Sequence, residues 1–182
     1  MKLNILIPFT LFLFISCQKN ERITVIKKDK KELTFQELSN KVFYISPQLN
    51  TEQCTAYNDG CDCCDGKIVF LKNGTFISNF YCIPEESFNT GTFKVVDSRI
   101  KLHYSKKSAI LAPEDENDFD ANSVLKLDSI GGGITFLDIL PCGNKYVFKS
   151  KSDEYYSEDK TTSFEKAVNE YKKNRRLETF RY

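Results

Sequence analysis

Seven cysteines and one histidine carry the most reactive side chains of this chain. Three of the cysteines crowd into Cys61-Asp62-Cys63-Cys64-Asp65, so three thiols and two carboxylates lie within five residues. Soft thiolates select Cu(I) or Zn(II), which makes Cys61, Cys63 and Cys64 a candidate metal site. Structural zinc sites usually present C-x₂₋₄-C and a second ligand pair downstream, whereas the spacing here is C-x-C-C. The competing chemistry is oxidation. Cys54, Cys61, Cys63, Cys64, Cys82 and Cys142 form an even set, which predicts disulfides in a chain that leaves the cytoplasm. Six cysteines allow fifteen pairings, and sequence does not choose among them. Adjacent Cys63 and Cys64 are awkward partners for each other, so each is expected to staple its loop to a different place. Disulfides are the first expectation, and metal is the alternative.

Other catalytic chemistry finds little footing. His103 falls on the polar side of an alternating stretch in which Ile100, Leu102 and Tyr104 take the apolar side. A surface imidazole without an evident base or nucleophile beside it does not make a hydrolase. Asp118-x-Asp120-x-Asn122 begins like a calcium loop, but Ser123 stands at the glycine position and Ser129 at that of the bidentate glutamate. Gly131-Gly132-Gly133 lacks the spacing of a phosphate cradle and reads as a turn. No enzyme activity and no cofactor are expected.

The seventh cysteine, Cys17, belongs to a different context. Lys2 precedes a dense apolar run from Leu3 to Ile15, which Ser16-Cys17 and the polar Gln18-Lys19-Asn20-Glu21-Arg22 end at once. A basic start, a short apolar core and a small residue before the cut describe a secretory signal. The run falls short of the roughly 20 apolar residues of a membrane span. Phe14-Ile15-Ser16-Cys17 resembles the lipobox of bacterial lipoproteins. That resemblance implies removal of residues 1–16, lipid on Cys17, and a lipidated tether over residues 17–32. Two or more acyl chains anchor a protein firmly where one does not. The mature chain would keep 166 of the 182 residues and, with Lys2 gone, balance 25 basic against 25 acidic side chains. A zero balance with no basic stripe excludes nucleic acid as an expected partner.

The remainder, residues 33–182, reads as one β-rich domain. Leu33 to Leu38 marks a short helix, with Thr34 and Glu37 as a capping box, and Val42–Ile45 follows as a strand. Ile68–Leu71 and a strand from Thr75 to Cys82 form a hairpin across Asn73-Gly74, a pair suited to a primed turn. Phe76, Phe80 and Cys82 share one face of that second strand. A loop is expected over 83–89, a hairpin of Thr90–Val96 and Arg99–Tyr104 across Asp97-Ser98, and a polar loop over 105–122. Three more strands, Val124–Ser129, Ile134–Leu140 and Lys145–Phe148, complete a set of eight candidates. Phe164, Ala167, Val168 and Tyr171 then recur at helical spacing, with Thr162 and Glu165 as a second capping box. The cluster Lys172 to Arg176 matches the helix dipole at that end.

Such a series predicts a mainly β fold: an antiparallel meander closing as a small barrel or sandwich, with a short N-terminal helix and a C-terminal amphipathic helix. Phe70-Leu71-Lys72-Asn73-Gly74-Thr75-Phe76, Gly91-Thr92-Phe93-Lys94-Val95 and Ile100-Lys101-Leu102 together resemble the lipocalin-like (calycin-type) domains of small bacterial lipoproteins. The likeness covers residues 67–149. The expected function is a membrane-anchored binding or interaction module in the cell envelope, with the outer membrane as its expected location. Its expected partners are the membrane and either a small apolar ligand or an envelope protein. Envelope copper or zinc handling through Cys61, Cys63 and Cys64 is the alternative.

Overall fold

The computed structural model describes residues 33–60, 64–82, 85–113, 123–128 and 132–173. Cys17, Cys61, Cys63, the calcium-like segment Asp118–Asn122 and the basic cluster after Lys173 lie outside the described residues.

The strand set is longer than the sequence pattern suggests. In chain order the elements are α1 (Phe35–Leu38), β1 (Lys41–Ser46), β2 (Gln48–Asn50), β3 (Thr55–Tyr57), β4 (Asp65–Phe70), β5 (Thr75–Cys82) and β6 (Glu85–Val96). There follow β7 (Arg99–Pro113), β8 (Ser123–Asp128), β9 (Ile134–Cys142), β10 (Lys145–Lys149), β11 (Tyr155–Glu158) and α2 (Phe164–Lys173). The main sheet runs β6-β5-β4-β1-β11-β10-β9-β7-β8, and β6 also pairs with β7. That last pairing closes eight strands into an antiparallel barrel and leaves β8 outside the ring on β7. The barrel, not the sandwich, is the form the meander takes.

Several local expectations need correction. Residues 85–89 belong to β6, and residues 105–113 to β7, because both segments complete ladders with neighbouring strands. Pairing on both sides resumes at Ser108, which stands opposite Asn89 on β6 and Asp128 on β8. The turn at Asn73-Gly74 is a four-residue Leu71–Gly74 turn in which only Gly74 takes a positive φ, of 81°. The primed turn falls instead at Asp97-Ser98, with φ of 49° and 58°, which suits the twist of β6 and β7. At the last helix Ser163, not Thr162, is the cap: its hydroxyl accepts from the Lys166 N–H. Thr162 accepts from the Lys67 ammonium.

Alternation along the closed strands sorts side chains into an inside and an outside. The inside is filled with phenylalanine towards the end where α1 lies. Phe35 stacks on Phe93 with ring centroids 5.0 Å apart, and Phe93 meets Phe70 at 4.6 Å. Phe43 continues the series to Phe70 and Phe148 at 5.5 Å and 5.1 Å. Leu33 and Leu38 bracket α1 and join this cluster, so the short helix acts as a plug. The Glu37 carboxylate accepts from the Thr34 N–H and hydroxyl, fixing the helix start as the sequence suggests.

Outside, α2 lays Ala167 and Tyr171 against Val42, Val69, Ile77 and Phe88 on β1, β4, β5 and β6. The chain is turned towards that face by Asp159, which pairs with Lys67 at 3.3 Å and accepts from Thr161 and Thr162. Burial alone would raise its pKa, but these hydrogen bonds and the lysine reverse that and hold it at about 2. The β2–β3 hairpin covers the outer face of β11, where the Ala56 N–H donates to the Ser157 hydroxyl.

Gly91 is the tightest point of the closure. It faces inward on β6, and a Cβ there would meet the His103 carbonyl and come within 2.7 Å of the Phe76 ring. Gly91→Ala is therefore expected to cost about 1–3 kcal/mol through overpacking, read as a lower urea midpoint with an unchanged m-value.

Candidate functional site

The barrel interior changes character along its axis. At the end away from α1, three residues stand in register across three adjacent strands: Ser78 on β5, Asn89 on β6 and Ser108 on β7. Ser78 shares its strand face with Phe76 and Phe80, both part of the core cluster, so the row points inward. Ser78 is 5% exposed, and its hydroxyl forms no hydrogen bond with another described residue. Between Asn89 and Gly91 the β6–β7 register shifts, which brings Tyr104 opposite Gly91. With no Cβ beneath it, the Phe76 ring crosses Gly91 and meets Tyr104 edge-on at 5.1 Å. Phe76 is thus the floor under the polar row.

The opposite wall comes from the β10–β11 turn. Tyr156 faces inward beside Phe148 and Ile45, and alternation puts Glu154 on the same side. One oxygen of Glu154, Oε2, accepts from the Ser150 hydroxyl at 3.1 Å, the Ser152 hydroxyl at 3.1 Å and the Tyr156 hydroxyl at 3.2 Å. Its other oxygen accepts nothing from a described residue. Lys149, at the end of β10, is held on the outer face by Asp153 at 2.7 Å and by the Tyr155 ring. Burial, reinforced by the charge of Glu154, raises the Tyr104 hydroxyl to about 12. Burial, and then the proximity of Tyr104 and Glu154, raises Tyr156 further. Tyr104, Tyr156 and Glu154 therefore lie close enough to sense one another, and the Tyr104 hydroxyl has no hydrogen-bond partner among the described residues.

The site residues expected from sequence are placed differently. Cys54 is bonded to Cys142, across 88 residues, and Cys64 to Cys82. The first bridge ties the tip of the β2–β3 hairpin to the β9–β10 turn, where Lys145 also donates to the Gln53 carbonyl at 2.8 Å. The second joins neighbouring strands β4 and β5 at the polar end. Oxidation to Cys82 removes Cys64 from the thiolate set, and no group of three or more metal-binding side chains gathers among the described residues. His103 is exposed on β7, on the side expected for it. None of Ser78, Asn89, Tyr104, Ser150, Glu154 and Tyr156 was singled out as a site residue by sequence, since none belongs to a local motif. Only the alternation around Phe76 and Phe80 pointed at Ser78.

A concavity of about 1140 Å³ lies at the plugged end between α1, the Leu71–Gly74 turn and the β6–β7 turn. It is open to solvent, and its polar groups are Lys72, Asn73, Asp97 and Ser98 in turns and Thr92 and Lys94 on β6. At the polar end Ser78, Ser108, Ser150 and Tyr156 are buried polar side chains of the kind that fix a ligand's orientation.

The chain matches no family model and no curated protein. It is similar to the crystal structure of a streptavidin-like protein from Bacteroides eggerthii, at 13% identity and a TM-score of 0.46. The match covers 77% of this chain and 91% of that one. The topology described above defines the class of fold without it: a closed, eight-stranded antiparallel barrel.

The buried tyrosines give the site a pH signature. An unfolded tyrosine releases its proton near 10.0, whereas Tyr104 keeps it to about 12. Between those values the native state binds more protons than the unfolded chain, so stability falls as pH rises. Below pH 10.0 the contribution is fully present. Tyr104→Phe should flatten this loss by on the order of 2 kcal/mol over the window, measured by urea unfolding at successive pH values.

Proposed function

We propose that this protein is a membrane-anchored binding module that takes a small polar ligand at the polar end of its barrel. The observation that carries the reading is the division of the interior. Phenylalanines fill one end, while Ser78, Asn89, Tyr104 and Glu154 line the other above the Phe76 floor. The apolar ligand expected from composition finds less support, because the described aromatic rings pack against each other. The reading includes no chemical step. The only histidine faces solvent, and the interior carboxylate has hydroxyls, not a nucleophile–base pair, beside it. The anchor is the lipid on Cys17, supported by the lipobox-like sequence around it, and the envelope is the compartment in which the two disulfides would persist.

A library of small polar compounds, screened against the isotope-labelled full chain by NMR, tests the binding reading. The expected shifts cluster at the amides of Ser78, Asn89, Tyr104 and Tyr156, and Asn89→Phe, which fills the end, removes them while the thermal midpoint stays near wild type. Hits confined to the outer surface, or none at all, would overturn it. For the anchor, wild type should incorporate a clickable palmitate and sediment with membranes, and Cys17→Ser should do neither. Recovery of soluble, unlabelled wild type that still begins at Met1 would remove the anchor from the reading.

A further inference from the structure

The ligand can be narrowed by charge, on the assumption that the polar end is a binding site. Glu154 lies at the edge of an interior otherwise lined by rings and hydroxyls, where water screens charge less than in bulk. The ion pairs among the described residues are Lys41–Glu158, Lys67–Asp159, Arg99–Asp138 and Lys149–Asp153, and Glu154 takes part in none of them. All three hydroxyl donors that reach it converge on Oε2. They fix the plane of the carboxylate and leave Oε1 able to accept. Beside it stands Tyr156, whose hydroxyl donates to Oε2, and an aromatic face attracts a cation held within about 6 Å. Ser78 adds an independent sign of an occupant: the residue is 5% exposed on the inner face of β5, and its hydroxyl bonds to no described residue.

A carboxylate with one oriented free oxygen and flanking aromatic rings recognises one kind of group well. We propose that the polar end of the barrel binds a small organic cation, with an ammonium or guanidinium N–H donating to Glu154 Oε1. The aromatic faces of Tyr104 and Tyr156 flank the charge, and Ser78 and Asn89 meet polar atoms further along the ligand. An anion meets only repulsion there, and a neutral amide loses the ionic part of the interaction.

Four compounds of matched length test this: butylammonium, butylguanidinium, butyramide and butyrate, each titrated into the labelled full chain at constant ionic strength. The two cations should bind at the polar end at least about tenfold more tightly than butyramide, a difference of about 1.4 kcal/mol. Butyrate should not bind. Glu154→Gln keeps the shape and an acceptor for the three hydroxyls, so it should keep the fold and lose the preference for cations. Butyramide binding as well as butylammonium, or Glu154→Gln binding both cations like wild type, would overturn the cation assignment and leave the barrel-binding reading intact. Silence from all four compounds would also overturn it, and the wider polar library then decides the binding reading on its own.

Discussion

The pairing of β6 with β7 is the constraint on which the other features depend. An open sheet of the same strands would have two faces and two free edges. Closure gives one enclosed face, and every second residue of eight strands must share the same small volume. Gly91 makes that closure compatible with Phe76, and Gly66 does the same for Phe80, whose ring would lie 2.9 Å from a Cβ there. Two inward glycines thus set where two large rings, Phe76 and Phe80, can go, and Ser78 of the polar row lies between them on β5.

The two disulfides among the described residues and the outer cover follow from the same geometry. A barrel of short strands has weak ends, since the last residues of each strand have neighbours on one side only. The plugged end is held by burial of Leu33, Leu38 and the Phe35–Phe93 stack. The polar end lacks such a filling, and there the Cys64–Cys82 bridge joins two neighbouring strands covalently. Cys54–Cys142 serves a different need. It holds a two-stranded hairpin, a unit barely stable alone, against the outer face of β11. Ser46 donating to the Tyr57 carbonyl, and Tyr44 donating to Asp65 at 2.6 Å, fasten the base of the same excursion.

What could be read from sequence was what alternates or repeats locally. Ile100, Leu102 and Tyr104 announced β7, the Asp97-Ser98 hairpin was placed correctly, and Phe164, Ala167, Val168 and Tyr171 named the buried face of α2. The misses share a cause. Tyr155–Glu158 completes the ring as β11, yet it sits in the run Ser152-Asp153-Glu154-Tyr155-Tyr156-Ser157-Glu158-Asp159, whose charge hides a strand paired on both sides. Residues 105–113 hid in the same way behind serines and lysines. In both places the ladder supplies stability that the side chains do not advertise. The candidate site was less legible still, because register creates it. Ser78, Asn89 and Ser108 are eleven and nineteen residues apart, and only the β5–β6–β7 pairings bring them side by side.

A buried hydroxyl without a partner costs about 1–3 kcal/mol relative to one that is bonded, and cores ordinarily avoid it. Ser78 places a hydroxyl bonded to no described residue on the inner face of β5, between Phe76 and Phe80, where an aliphatic residue would join those rings into one apolar layer. Glu154 is satisfied on one side only: three hydroxyls reach Oε2, and it joins none of the ion pairs among the described residues. Departures from local consistency in an otherwise well-packed fold tend to collect where function is located. Glu154 closes the β10–β11 turn with one oxygen and leaves the other able to accept, while Ser78 leaves an inward hydroxyl unbonded to any described residue; the proposed cation would use both.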